Sequence, residues 1–270
     1  MRVPFIKMHG LGNDFVVLDA RVDALPLLTS TIAAALADRQ TGIGCDQLIV
    51  LEPSASADFR MRIFNADGGE VEACGNASRA VARLHGSDAE VETAGGTIAV
   101  APTTDGARVD MGSPRFGWEE IPLAYPMDTA AMPVGWENLE QPMAVNVGNP
   151  HAVFFVDDAD AVPLERLGPL IETDPLFPER INVMVAQITG PAAVKLRAWE
   201  RGAGLTRACG TGACATAVAA IRRGLVESGK VAVTLPGGTL DIEWTEDGRI
   251  LMIGPATESF RGSFEWDEFA

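Results

Sequence analysis

Apolar positions along the chain fall into short runs rather than long helical stripes. Leu48-Ile49-Val50-Leu51 and the alternating Phe59, Met61 and Ile63 predict β-strands. Val91 to Val100 and Val233 to Ile242 each carry a Gly-Gly-Thr turn between apolar flanks, the pattern of a hairpin. A 3.6-residue period shows at Ile32 to Arg39. It shows again at Gly75 to Leu84, with Ala77, Ala80, Val81 and Leu84 on one face and a stop at Gly86. It shows a third time at Gly210 to Leu225, with Ala213, Ala217, Val218 and Ile221 on one face and Gly224 near the end. Many short strands with few helices predict an α+β chain.

The pattern occurs twice. Ala73-Cys74-Gly75-Asn76 and Ala208-Cys209-Gly210-Thr211 stand 135 residues apart, as do Phe64-Asn65 and Trp199-Glu200, and Gln47-Leu48-Ile49-Val50 and Asn182-Val183-Met184-Val185. Gly12-Asn13 and Gly148-Asn149 are offset by 136, and the two Gly-Gly-Thr turns by 142, a drift that one loop insertion absorbs. Five matches in one order indicate a duplicated unit. The period is too long for a solenoid, so the prediction is two similar lobes. The Gly- and Pro-rich stretch Gly112 to Pro126 holds the expected boundary. Residues 1–118 would form the first lobe and 119–258 the second, with 259–270 returning to the first.

Cys74 and Cys209 each stand at a predicted helix start. Unbonded N–H groups and the positive end of the helix dipole collect there. A thiol pKa can fall there from about 8.5 to roughly 3.5–7.5. The N–H groups of Gly75, Asn76, Gly210 and Thr211 can also bind a carboxylate. Such a site would stabilise the charge that develops when an α-proton leaves. One base returns a proton to the face it came from, whereas two thiols can remove it from one face and replace it on the other. A lone cysteine before glycine is ordinarily a buried small hydrophobe; two in repeated frames point to catalysis. Cys45 and Cys214 have no such counterpart and read as packing residues. The cysteine spacing fits no zinc site, and no metal is expected.

The repeat also pairs polar residues that strands do not require: Asn13 with Asn149, Gln47 with Asn182, and Asn65 with Glu200, which Arg201 follows. Amides offer donors and acceptors without charge, and Glu200 and Arg201 add one charge of each sign. Together they suggest a pocket for a ligand with amino and carboxylate groups. His151, two residues after Asn149, is either a tuner of a thiol pKa or an ordinary buried histidine.

Composition narrows the class. At 47% hydrophobic and 21% charged, the chain is ordinary for a soluble domain. No apolar run approaches the roughly 18 residues of a membrane span. The first residues lack a signal-peptide pattern. A cytoplasmic protein with reduced thiols is therefore expected. A net charge of −16 argues against nucleic-acid or anionic-membrane partners. No dinucleotide or Walker fingerprint occurs.

Several stretches together resemble the diaminopimelate epimerase family. They are Met8-His9-Gly10-Leu11-Gly12-Asn13-Asp14-Phe15, Phe64-Asn65-Ala66-Asp67-Gly68, Ala73-Cys74-Gly75-Asn76, Gly148-Asn149-Pro150-His151, Phe177-Pro178-Glu179-Arg180-Ile181-Asn182-Val183, Trp199-Glu200-Arg201-Gly202 and Ala208-Cys209-Gly210-Thr211-Gly212. The resemblance implies interconversion of LL- and meso-2,6-diaminopimelate by two pseudo-symmetric α+β lobes, each a mixed sheet wrapped around a central helix. It implies no cofactor and a homodimer. Cys74 and Cys209 would be acid and base. Asn13, Gln47, Asn65, Gly75, Asn76, Asn149, Asn182, Glu200, Arg201, Gly210 and Thr211 would hold the substrate, with His151 and Glu200 modulating the cysteines. Gly69, Ala77-Ser78 and Leu205 depart from the usual residues. The alternatives are a proline- or hydroxyproline-type racemase of the same fold, or a non-catalytic binder of a small ligand.

Overall fold

The structure, a computed structural model, describes residues 1–72 and 74–269. Ala73 of the first cysteine motif and Ala270 of the expected C-terminal return lie outside the described residues. The chain divides into two units, Met1–Val109 with the segment from Gly254 onward, and Asp110–Ile253. These borders differ from 118/119 and 258/259 because residues 110–118 are bonded into the second unit. Met111 N–H donates to the Ile250 carbonyl, and Arg115 and Asn146 exchange backbone hydrogen bonds.

In the first unit, β1 (Arg2–Gly10) and β2 (Asn13–Asp19) form a hairpin; α1 (Ser30–Ala37) leads to β3 (Gln47–Glu52), β4 (Phe59–Asn65) and the short β5 (Glu70–Val71). Then come α2 (Gly75–His85), β6 (Ala89–Thr93), β7 (Gly96–Thr103) and β8 (Gly106–Asp110). β2 pairs parallel with β3 and β4 with β6, and the other ladders are antiparallel. α1 caps one core, where Ile32, Ala33 and Leu36 meet Val16, Leu18, Leu48 and Val50. α2 is the central helix, buried from Gly75 through Ala82 and ended by Gly86 at φ 83°.

The second unit opens with a hairpin that the repeat does not contain, β9 (Gly135–Trp136) and β10 (Leu139–Glu140). The repeated order then resumes. β11 (Met143–Asn146), β12 (Pro150–Phe155), α3 (Leu164–Glu172), β13 (Asn182–Gly190), β14 (Ala193–Glu200) and β15 (Gly204–Thr206) precede the central helix α4 (Gly210–Arg222). β16 (Lys230–Leu235), β17 (Gly238–Trp244) and β18 (Ile250–Gly254) follow. The parallel ladders are again the second-to-third pair, β12 with β13, and β14 with β16. Finally β19 (Thr257–Glu265) pairs antiparallel with β1 in the first unit, ahead of a 3-10 turn at Trp266–Glu268.

The duplication holds at the level of register. Phe15 lies opposite Gln47 as His151 lies opposite Asn182, and Phe59 opposite Val91 as Val194 lies opposite Val233. Thr93 faces Gly96 across the first Gly-Gly-Thr turn, and Leu235 faces Gly238 across the second. Because successive strand residues alternate faces, equal register puts corresponding side chains on corresponding faces.

Candidate active site

In the first unit, Cys74 is the extended N-cap of α2 (φ −147°, ψ 110°) and its side chain does not cap the helix. Its Sγ lies 3.9 Å from Asn13 Oδ1, to which the thiol donates. Asn76 Nδ2 donates to the same oxygen at 3.1 Å, and Asn76 Oδ1 accepts from Arg79 Nη2 at 2.8 Å. At the other end, Asn13 Nδ2 donates to Asp46 Oδ2 at 3.0 Å. Arg79 can only donate and an ionised Asp46 can only accept, so the two ends fix which way both amides face. The carbonyl oxygen of Asn13 is thereby turned to the sulfur. Gln47 and Asn65, opposite each other on β3 and β4, form a second group: Gln47 Nε2 donates to Asn65 Oδ1 at 3.0 Å. Gln47 Oε1 is buried without a hydrogen-bond partner, an acceptor open to a donor from a ligand.

In the second unit, Cys209 is the extended N-cap of α4, and its sulfur accepts the Gly212 N–H at 3.3 Å. The approach depends on the glycine. A Cβ at Gly212 would lie 2.5 Å from Met184 Sδ and 3.0 Å from Cys209 Sγ. The Thr211 hydroxyl lies 3.7 Å from the sulfur. Glu200, at the end of β14, accepts the Thr206 hydroxyl and shares a hydrogen bond with Cys209.

Electrostatics here differ from the helix-start expectation of a lowered thiol pKa. Burial pushes the Cys209 thiol well up, and the Glu200 carboxylate pushes it further, against Thr211 and the Gly212 N–H. Desolvation outweighs the helix end because Cys209 is only 2% exposed. Burial likewise raises Glu200, against the hydrogen bonds from Thr206 and Cys209. His151 is fully buried, and burial, with the nearby Arg201 charge, lowers its pKa to about 3. It is therefore neutral at ordinary pH. Its Nε2 bonds Asn149 Oδ1 at 2.8 Å, while Nδ1 has no partner.

The remaining residues form a clamp around Arg201. Asn182 Nδ2 donates to the Pro150 carbonyl and Asn182 Oδ1 accepts the Arg201 N–H, both at 2.9 Å. The Arg201 Nη1 donates to the Glu179 carbonyl at 2.8 Å rather than turning to its neighbour Glu200. The two charged side chains, adjacent in sequence, thus have separate partners.

Several participants carry no repeat signal. Arg79 stands 135 residues before a packing cysteine, and Asp46, Thr206 and Glu172 have no polar counterpart of matching type. Arg79 could have been noticed as the one charged side chain on the otherwise buried first turns of α2. Among the described residues, no group of three or more His, Cys, Asp or Glu is placed to hold a metal ion, and no helix is long and apolar enough to cross a membrane.

Comparison with known proteins follows the same outline. The sequence profile of the family described as "Diaminopimelate epimerase" matches residues 5–117 and 143–258, leaving out the region of the extra hairpin. A diaminopimelate epimerase of Erythrobacter litoralis (strain HTCC2594) is 73% identical over 270 residues, covering 100% of both chains. One of Rhizorhabdus wittichii is 62% identical, covering 100% of this chain and 98% of its own. Among solved structures, a hydroxyproline epimerase from Agrobacterium vitis with bound trans-4-hydroxy-L-proline superposes with a TM-score of 0.68 at 16% identity, over 97% of this chain and 91% of its own. A PhzF-family phenazine biosynthesis protein of Enterococcus faecalis gives 0.69 at 14% identity, over 98% of this chain and 100% of its own. At such identities those two structures speak for the fold alone, whereas the full-length relatives speak for descent. By profile and by these relatives, the chain belongs to the diaminopimelate epimerase family.

Proposed function

We propose that this chain interconverts LL- and meso-2,6-diaminopimelate without a cofactor, Cys74 and Cys209 working as acid and base on opposite faces of one α-carbon. The observation that carries the reading is that each cysteine is the N-cap of a buried central helix, in matching frames of a duplicated fold. The α-C–H bond breaks as a thiolate takes the proton, and the other thiol gives its proton to the opposite face. Each such transfer is worth about 10²–10⁴ in rate. The first-turn N–H groups of Gly75, Asn76, Gly210 and Thr211 bind the carboxylate and stabilise its developing charge. The open Gln47 Oε1 accepts from an ammonium group. Asn13, Asn65, Asn149, Asn182 and Arg201 fix the rest of the substrate. Glu200 tunes Cys209, and His151 acts as a neutral hydrogen-bonding group. The family resemblance extends the reading to a cytoplasmic homodimer. Phe260, 52% exposed on β19, is an apolar side chain that a second copy would cover.

The test is incubation with LL-diaminopimelate in deuterated water. Inversion with one α-deuterium gained is expected, and Cys74→Ala and Cys209→Ala should each lose epimerisation by at least about 10²-fold. Full epimerisation by either variant ends the two-thiol reading, and exchange with proline but not diaminopimelate reassigns the substrate.

A further inference from the structure

Glu172 is the last residue of α3 and is 5% exposed. Both of its carboxylate oxygens are engaged. Oε2 accepts Trp199 Nε1–H at 2.7 Å, and Oε1 accepts the Gly202 N–H at 3.0 Å, with Arg180 Nη1 3.5 Å away. The two bonded groups flank Glu200 and Arg201 on the turn from β14 to β15. A second observation fixes the same element. α3 lies so close to Trp199 that a Cβ at Gly168 would meet its ring at 2.4 Å. The backbone of Arg201 is thus gripped at both its peptide groups. Asn182 takes the Arg201 N–H from one side, and Glu172 takes the Gly202 N–H from the other.

The geometry points to Glu172 as a positioning residue that sets where Arg201 presents its guanidinium, and so sets affinity for the substrate's second carboxylate, the one remote from the reacting carbon. The inference rests on the proposed reading of Arg201 as a substrate-binding group. Glu200 stands apart from this control. It is held by the β14–β15 ladder opposite Gly204 and by Thr206. Glu172 therefore acts on binding more than on proton transfer.

Glu172→Gln keeps the size but puts an NH2 against one of two N–H donors, so one bond must break. With diaminopimelate, KM should rise about tenfold or more while kcat stays within about threefold. Arg201→Ala raises KM by itself; in that background Glu172→Gln should add no further increase, because its effect travels through Arg201. Loss of thermal stability with KM unchanged, a fall in kcat at constant KM, or an equal rise in KM with and without Arg201 would each overturn the inference. Should Glu172→Gln not fold, Trp199→Phe decides: it removes the indole donor to Glu172 together with part of the ring packed on Gly168, and raised KM with kcat held upholds the inference while unchanged KM rejects it. A wild-type chain inert toward diaminopimelate overturns the proposed function itself, and this inference with it.

Discussion

The two cysteine helices start in the same frame yet seat their sulfurs differently. In the second unit Gly212 leaves room for the Cys209 sulfur to fold back onto the helix. In the first, the position 135 residues earlier is Ala77, and Cys74 reaches instead toward Asn13. Cys209 is buried beside a carboxylate; Cys74 is half-buried beside an amide chain. A second contrast lies on the strands, where the same register position holds Phe15 in one unit and His151 in the other. Duplication supplies the frame, and single side chains then give the two thiols unlike surroundings.

The largest expected difference comes from His151. Its folded pKa is depressed from 6.5 to about 3, so between those values the unfolded chain binds a proton that the folded chain does not. Stability is thus full above pH 6.5 and falls as the pH drops toward 3. The loss at pH 4.5 is on the order of 3 kcal/mol. His151→Phe, which copies the first unit, should shrink the fall in denaturant midpoint between pH 7.5 and 4.5. An unchanged fall would remove this contrast between the units.

Next comes the helix start. Gly212→Ala forces Met184 or the Cys209 sulfur aside and should cost about 1–3 kcal/mol, together with activity. The reciprocal Ala77→Gly should cost only about 0.5–1 kcal/mol and leave turnover intact. Equal losses in the two unfolding curves would show that the glycine is not what separates the sulfurs. The smallest effect is the most specific. Glu200→Gln removes a charge that raises Cys209, so the pH profile of iodoacetamide alkylation at Cys209 should move to lower pH. The profile of Cys74 should stay where it is, and movement of both would mean that the carboxylate acts on the whole site.

Repeat offsets read from the sequence reproduce the strand registers, because alternation of buried and open faces constrains a strand pair to within one residue. The unit borders were less legible, since hydrogen bonds such as that from Met111 to Ile250 leave no local pattern. The β9–β10 hairpin was invisible for a different reason: it has no counterpart in the other half. Glu172 and Arg79 carry no repeat signal because each works through contacts set by tertiary packing, Glu172 across an α3 that approaches a tryptophan through Gly168. A helix start alone predicts a more acidic Cys209; desolvation, which only the packed structure reveals, pushes the thiol the other way.

The return of β19 to β1 has a consequence for how the polypeptide is made. β19 pairs along β1 from Arg2 to His9, the Trp266 N–H bonds the Met1 carbonyl, and Trp266 belongs to the core under α1. Residues 110–253, by contrast, are contiguous. As the chain leaves the ribosome, residues 110–253 emerge as one stretch, whereas the Arg2–Phe5 part of β1, with Val3 and Phe5, lacks its β19 partner until after they are made. A chain cut short before β19 would hold the whole sequence of its second unit and carry an unpaired, adhesive edge on β1.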